Sequence, residues 1–244
     1  MFKQSSTLYN PIEGNRGNNY IIFENREDAA RRLVERLRPL LFKNQKKVRI
    51  NSSNTMILAI PRGGVVIGDV IASIFGFNLD IIVSRKIGAP DNPELAIGAV
   101  MHDGRFFANR DIMNILQIPD DYIKENVAIQ MKEIQRRLWL FRHSQEYKLS
   151  GSTIILVDDG IATGASIFVA IQWIKEQNPK SLIVAIPVAP RDAIQKLENE
   201  VGVDQVVVLE TPESFGAVGA FYEDFSQVSD DEVLRIMNKH RIRQ

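Results

Sequence analysis

The chain has 244 residues, 45% of them apolar and 25% charged, and its 30 basic and 30 acidic side chains cancel to zero net charge. These proportions suit one elaborated globular domain or two small ones sharing a core, and they exclude a fibrous or wholly disordered chain. No cysteine is present, which removes disulfides, thiolate metal sites and a cysteine nucleophile.

The neutral total is uneven. Residues 1–50 hold 11 Lys/Arg against 5 Asp/Glu, residues 51–150 hold 11 against 11, and residues 151–244 hold 8 against 14. The large net positive domain of a generic nucleic-acid binder is missing, so no nucleic-acid partner is expected. No run approaches the roughly 18 uninterrupted apolar residues of a membrane-spanning helix, so no membrane partner is expected either. Residues 1–19 are polar and rich in Gly and Asn. They read as a flexible leader without the apolar stretch of a secretory signal, and a cytoplasmic location is expected.

From Asn25 the pattern turns helical, with Ala29, Ala30, Leu33, Leu37, Leu40 and Leu41 at spacings of three and four, Asn25 as cap, and Glu27 and Asp28 in the first turn. The apolar run at residues 56–60 predicts a strand that stops at Pro61-Arg62-Gly63-Gly64 and leads into a helix over 66–75. A second strand is predicted over 80–84, ending in Arg85-Lys86 and a Gly/Pro loop through Pro93. His102-Asp103-Gly104 is a hairpin signal between strands at 96–100 and 106–108. A long helix follows over about 121–147, with a seam of Ile123, Val127, Met131, Ile134, Leu138 and Phe141. That seam suits packing within the chain first, with the pairing of two chains into a homodimer as the alternative. Glu133 and Arg137 are spaced to pair on its polar side, and Trp139 and Trp173 are expected in the core.

Three further strands are predicted at 154–157, 182–187 and 205–209, separated by helices over 164–177 and 191–201. Short, continuously apolar strands alternating with helices indicate parallel strands buried on both faces. The expected architecture is an α/β sandwich with a mostly parallel central sheet. Ligands of such sheets bind at the carboxyl ends of the strands. The loops at 61–64, 84–94 and 158–166 are therefore expected to face one crevice.

The segment Asp158-Asp159-Gly160-Ile161-Ala162-Thr163-Gly164-Ala165-Ser166 carries the strongest chemical signal. A buried strand delivers two carboxylates, and a tight turn then opens a helix whose first N–H groups, with the Thr163 and Ser166 hydroxyls, make a phosphate cradle. Adjacent acids beside such a cradle suit the vicinal hydroxyls of a ribose or a hard divalent metal. Gly-x-x-x-x-Gly-Lys-Ser/Thr, Gly-x-Gly-x-x-Gly and Gly-x-Ser-x-Gly are all missing, which argues against nucleotide triphosphatase, dehydrogenase and α/β-hydrolase readings. A phosphohydrolase or phosphotransfer domain using Asp158 leaves the cradle unexplained. His102, His143 and His240 lie far apart without ligand spacing.

This segment resembles the phosphoribosyl-diphosphate (PRPP) loop of the type I phosphoribosyltransferases. Together with Pro61-Arg62-Gly63-Gly64, residues 85–90 and residues 215–225, it extends the likeness over most of 20–235, toward the prokaryotic subgroup. The resemblance implies the type I phosphoribosyltransferase fold over 20–228, with a helical insertion at about 120–148, a hood-like C-terminal segment at about 211–228, and a C-terminal helix at 229–244. It also implies transfer of phosphoribose from PRPP to a nitrogen acceptor such as a nucleobase, in nucleotide and nucleoside metabolism.

By position, the likeness assigns the ribose hydroxyls to Asp158 and Asp159 and the 5-phosphate to Thr163, Gly164, Ala165 and Ser166, with Gly160, Ile161 and Ala162 also in the PRPP-binding loop. It assigns the pyrophosphate to Arg62, Gly63, Gly64, Arg85 and Lys86. Arg62, Lys86, Asp158 and Asp159 are the expected catalytic residues. Mg2+ is the expected cofactor, held mainly through substrate and water, with Asp158 and Asp159 as candidate protein ligands. Members acting on 6-oxopurines carry an acid where this chain has Ala162, so the loop looks more like the adenine type. Glu94 is a candidate general base. Phe215, Phe221, Tyr222 and Phe225 suit either a hood stacking on an acceptor ring or a patch packing the tail onto the core. The rival from another class is a non-catalytic regulator of the same fold that binds PRPP or a nucleotide.

Overall fold

The computed structural model describes residues 6–8, 21–42, 54–200 and 202–241. Six parallel strands form the central sheet in the order β1-β9-β8-β7-β2-β3: β1 (Ser6–Leu8), β2 (Thr55–Ala59), β3 (Asn78–Ile81), β7 (Thr153–Val157), β8 (Ser181–Val188) and β9 (Gln205–Glu210). Every residue of β7 and β8 is buried. That is the reason their sequences run apolar without alternation, since helices cover both faces. In register, Ala59, Val157 and Ala185 lie side by side, so the chain leaves β2, β7 and β8 at one edge.

The crossovers α2 (Gly63–Phe75), α5 (Ala165–Glu176) and α6 (Arg191–Asn199) join consecutive parallel strands. One face of the sheet packs on α1 (Arg26–Phe42), α2 and α7 (Asp230–Arg241) through Leu33, Leu37, Ile67 and Ile236, and α4 (Asp120–Phe141) joins the same core through Leu138. The other packs on α5 and α6 through Ile171, Trp173, Ile174 and Leu197. Each fully buried Val, Leu or Ile stabilises the fold by about 1.5–3 kcal/mol relative to exposure. Asn25 caps α1 as its pattern predicted, its Oδ1 accepting from the Asp28 N–H at 2.9 Å.

Four local expectations change. The apolar run after Asn78 splits between two sheets. β3 stops at Ile81, and β4 (Ser84–Ala89) starts a separate antiparallel sheet with β5 (Asn92–Met101) and β6 (Phe106–Ala108). Residues 84–94 are thus a hairpin and not a loop at the parallel edge. The predicted long helix is preceded by a short one, α3 (Arg110–Leu116), and ends at Phe141. Arg142 turns into Asp80, donating from Nε to Oδ1 at 2.8 Å, and the Tyr147 hydroxyl donates to the Ile81 carbonyl at 3.0 Å; these tertiary contacts end the helix.

Trp139, expected in the core, is 60% exposed, because only the Ile134, Leu138 and Phe141 side of α4 faces the core. Within the leader, Ser6–Leu8 forms an edge strand on β9, and the rest of 1–19 lies outside the described residues. The hairpin signal at 102–104 holds: Gly104 adopts a φ of 83° and its N–H donates to the Met101 carbonyl at 3.0 Å. The Glu133–Arg137 pair holds too, at 2.7 Å.

Candidate functional site

Helix α2 begins at Gly63, three residues earlier than its apolar pattern suggests, with Arg62 as its cap residue. Gly63 and Gly64 therefore form a helix start, and what lies against them explains why both lack side chains. A Cβ on Gly63 would stand 1.8 Å from Asp159 Oδ2 and 2.8 Å from Arg26 Nε; one on Gly64 would stand 3.0 Å from the Asp158 Cα and from the Val157 carbonyl oxygen. The glycine pair after β2 is thus seated directly on the paired acids after β7. Two of the three loops expected to converge do so, within van der Waals distance.

Asp158 Oδ1 accepts from the Asp159 N–H at 2.9 Å. Asp159 Oδ2 accepts from Arg26 Nε at 2.8 Å, both side chains being largely buried at 16% and 11% exposure. The Asp159 carbonyl accepts from the Tyr222 hydroxyl at 2.6 Å. Burial raises both carboxyl pKa values. Asp158 is pushed well up, by burial first and then by the neighbouring Asp159 charge, whereas Arg26 pulls Asp159 back down against its burial. Two acids this close do not share full ionisation readily, and the one facing the guanidinium keeps its charge better.

The chain then runs through a turn to Gly164, which caps α5 in the left-handed region (φ 78°) that favours glycine. Side chains at Ala162 and Thr163 are exposed, Ile161 is buried, and no side chain caps the first turn at Ala165 and Ser166. The leading N–H groups of α5 are left to an outside acceptor, and the helix dipole favours an anion there. Gly160 lies under the hood, where an added Cβ would meet Val218 at 2.4 Å.

The remaining expected residues are placed otherwise. Arg62 Nη1 donates to Asp230 Oδ1 in the first turn of α7, at 3.3 Å. Arg85 lies within β4 and turns to α4, its Nε donating to Gln130 Oε1 at 3.0 Å. Burial, then the nearby Arg137, lower the Arg85 pKa. The Lys86 side chain, on the opposite face of β4, is exposed and makes no hydrogen bond or ion pair among the described residues. The structure thus joins Gly63, Gly64, Asp158, Asp159 and the turn into α5, and it leaves Arg85 outside that group. The Glu94 side chain lies outside the described residues.

Of the four hood aromatics, Phe221 and Tyr222 are buried core residues, and Phe215 packs on Phe221 with ring centroids 5.0 Å apart. The hood is also stitched to the N-terminal segment: the Phe23 N–H donates to the Phe221 carbonyl at 3.0 Å and the Glu223 N–H to the Phe23 carbonyl at 2.8 Å. A groove of about 730 Å³ starts at Thr163 and Ala165 and runs between β5, β6, α5 and α6, past Phe107, Phe168 and Lys196; its lining does not include the two acids.

Arg26 and Tyr222 are the site residues that the sequence reading missed. For Arg26 a signal existed, because a cation at the first position of a helix opposes the macrodipole and needs another reason to stand there. Tyr222 carried none beyond its place in an aromatic cluster.

A parallel sheet with paired acids and an uncapped, glycine-started helix at its carboxyl edge defines an α/β domain with an anion-type cradle. A family model described as the phosphoribosyl transferase domain matches residues 26–225. Two curated Mycobacterium tuberculosis proteins, from strains CDC 1551 and H37Rv, are named "Putative phosphoribosyl transferase MT0597" and "Putative phosphoribosyl transferase Rv0571c". Each is 34% identical over 222 residues, which cover 90% of this chain and 47% of the relative. The chain therefore spans about half the length of these relatives. The crystal structure of TT1426 from Thermus thermophilus is 34% identical and superposes with a TM-score of 0.73, covering 90% of this chain and 99% of that one. The chain belongs to the phosphoribosyl transferase domain family and has its type I α/β fold.

Proposed function

We propose that this domain transfers a 5-phosphoribosyl group from PRPP to a nitrogen nucleophile and releases pyrophosphate. One observation carries the reading: the glycine start of α2 is seated on Asp158 and Asp159, whose turn leads into the uncapped first turn of α5. A sugar held by its diol on the acids and by its 5-phosphate on the α5 N–H groups presents C1 toward the start of α2. There the N–H groups after Arg62 meet the diphosphate.

In the transfer, the C1–oxygen bond breaks and its electron pair leaves with pyrophosphate. The nitrogen lone pair then forms the new C1–N bond on the opposite face, and the nitrogen's proton passes to a base or to water. The carboxylates oppose the positive charge that develops on the ribose ring, and the helix-start N–H groups oppose the negative charge on the leaving group. Arg62 reaches that charge by exchanging Asp230 for a diphosphate oxygen, and Lys86 is a candidate to approach it from β4.

The donor set fits magnesium, because Asp158 and Asp159 offer hard oxygen ligands. With Asp159 Oδ2 taken by Arg26, such an ion would be held mainly by substrate and water, with Asp158 as its protein carboxylate. Bound there, it supplies charge neutralisation for the diphosphate. Among the described residues no helix is long and apolar enough to cross a membrane. A cytoplasmic setting and a nucleobase-like acceptor go with the reading.

The regulatory alternative draws on a different observation: Arg62 is paired with Asp230 and Arg85 with Gln130, so neither guanidinium stands free for a leaving group. A panel of nucleobases and amines, assayed for magnesium-dependent pyrophosphate release from PRPP, separates the two. Release with at least one acceptor is expected, and PRPP binding without turnover across the panel would establish the regulator. The double variant Asp158→Asn/Asp159→Asn should abolish PRPP binding in calorimetry while still melting cooperatively. Unchanged affinity would refute the site.

A further inference from the structure

We propose that Arg26 is the positioning residue for Asp159, locking the acid's side chain in the orientation that receives a ribose hydroxyl and tying that orientation to the C-terminal hood. The inference rests on the reading of Asp159 as a diol-binding acid. Arg26 is the first residue of α1, a position where a cation is disfavoured by the helix dipole and the acidic neighbours Glu27 and Asp28 are the favoured type. Its side chain is nonetheless largely buried at 11% exposure, with Nε, Nη1 and the guanidinium face each in contact with a partner.

Nε donates to Asp159 Oδ2 at 2.8 Å and Nη1 donates to the Ser226 carbonyl at 2.9 Å. The guanidinium carbon lies 3.9 Å from the centroid of the Phe225 ring. The Tyr222 hydroxyl holds the Asp159 carbonyl from the same hood segment at 2.6 Å. Gly63 leaves the room for this arrangement, since even a methyl group there would approach Arg26 Nε to 2.8 Å.

A planar guanidinium clamped between a ring and a carbonyl has one direction left for Nε–H, and that direction fixes the place of Asp159 Oδ2. A lysine could balance the charge but would not hold one fixed donor direction. Asp159 is therefore held at its side chain by α1 and at its carbonyl by the hood, two segments at opposite ends of the chain.

The test uses the full chain with two probes, ribose 5-phosphate and inorganic phosphate, in titration calorimetry. Arg26→Gln should weaken ribose 5-phosphate by roughly tenfold to a hundredfold, the range expected for one charge-assisted hydrogen bond, while phosphate affinity stays within about twofold. In an Asp159→Asn background the same substitution should have almost no further effect on the sugar phosphate, because the two residues act as one unit.

Equal loss for both probes, or full additivity with Asp159→Asn, would reduce Arg26 to a general stabiliser and overturn the inference. So would wild-type sugar affinity in the folded variant. If wild-type protein binds phosphate but shows no preference for the sugar phosphate, the diol reading itself fails, and this outcome is distinct from the others. Should Arg26→Gln not melt cooperatively, Arg26→Lys takes its place, with a smaller loss in the same probe ratio expected and a wild-type ratio overturning the proposal.

Discussion

Gly63→Ala puts the seating of the two loops to a direct test, because two effects of opposite sign meet at one atom. In a helix with free space around it, alanine in place of glycine stabilises by about 0.5–1 kcal/mol, mainly by restricting the unfolded chain. Here the new Cβ would stand 1.8 Å from Asp159 Oδ2 and 2.5 Å from its Cγ. Carbon–oxygen contact needs a separation well above 3 Å, so the carboxylate must move by roughly 1.5 Å or more. The Arg26 hydrogen bond at 2.8 Å does not survive such a shift within the usual limit of about 3.2 Å. Losing a charge-assisted bond between largely buried groups costs about 1.5–3 kcal/mol, which exceeds the alanine gain and leaves a net loss of about 1–2 kcal/mol. For a chain of this size that lowers the melting temperature by about 2–8 °C. Scanning calorimetry reads the melt, and titration with ribose 5-phosphate should show a parallel loss of affinity. A melting temperature that rises, with sugar-phosphate affinity unchanged, would refute the contact between the start of α2 and Asp159.

The remaining predictions concern the frame around the site. His102 is buried against Tyr147 and Trp173, and burial holds its pKa down at about 4 against an ordinary 6.5. The folded protein thus resists a proton that the unfolded chain accepts, so stability is full above pH 6.5 and falls by about 3 kcal/mol as pH drops through 4. Urea denaturation across pH 3.5–7.5 should show this slope in wild-type protein and a much flatter one in His102→Phe; parallel slopes would contradict the burial. Trp139→Ser should change stability by less than about 0.5 kcal/mol, because the indole is 60% exposed. A loss of several kcal/mol in the same denaturation assay would return Trp139 to the core.

The parallel sheet was legible because burial on both faces leaves a local mark: Ile154-Ile155-Leu156-Val157 is a short, β-branched apolar run between turn signals, the pattern of a covered strand. The acids at its end and the glycine-started helix were legible for the same reason, as local sequence with local consequences. The small antiparallel sheet was not. Asp80-Ile81-Ile82-Val83-Ser84 is one apolar run, and nothing in its periodicity says that the chain changes sheets at Ile82–Val83, since the partner strand that decides it begins beyond Pro90. Trp139 misled because an aromatic at helical spacing is ambiguous when only one side of a helix is covered. Arg26 and Asp159 are 133 positions apart, and no window along the chain connects them.

The charge imbalance along the sequence has its physical counterpart in pairs that cross between segments. Arg26 from the basic first segment meets Asp159 in the acidic last one, and from the neutral middle Arg62 and Arg136 both reach Asp230. These pairs offset guanidinium groups with carboxylates before any ligand arrives. On the proposed reading that has a consequence for order of events. A diphosphate entering beside Arg62 competes with Asp230 for the same guanidinium, and an ion accompanying the diphosphate lowers the charge over which they compete. A sugar phosphate without the diphosphate faces no such competition, because its binding groups are the α5 N–H groups and the Asp159 carboxylate that Arg26 already orients. On the proposed reading, diol and 5-phosphate recognition is therefore built before the ligand arrives, whereas recognition of the leaving group requires an exchange of partners. That asymmetry suits a domain that holds ribose phosphate firmly and must let pyrophosphate go.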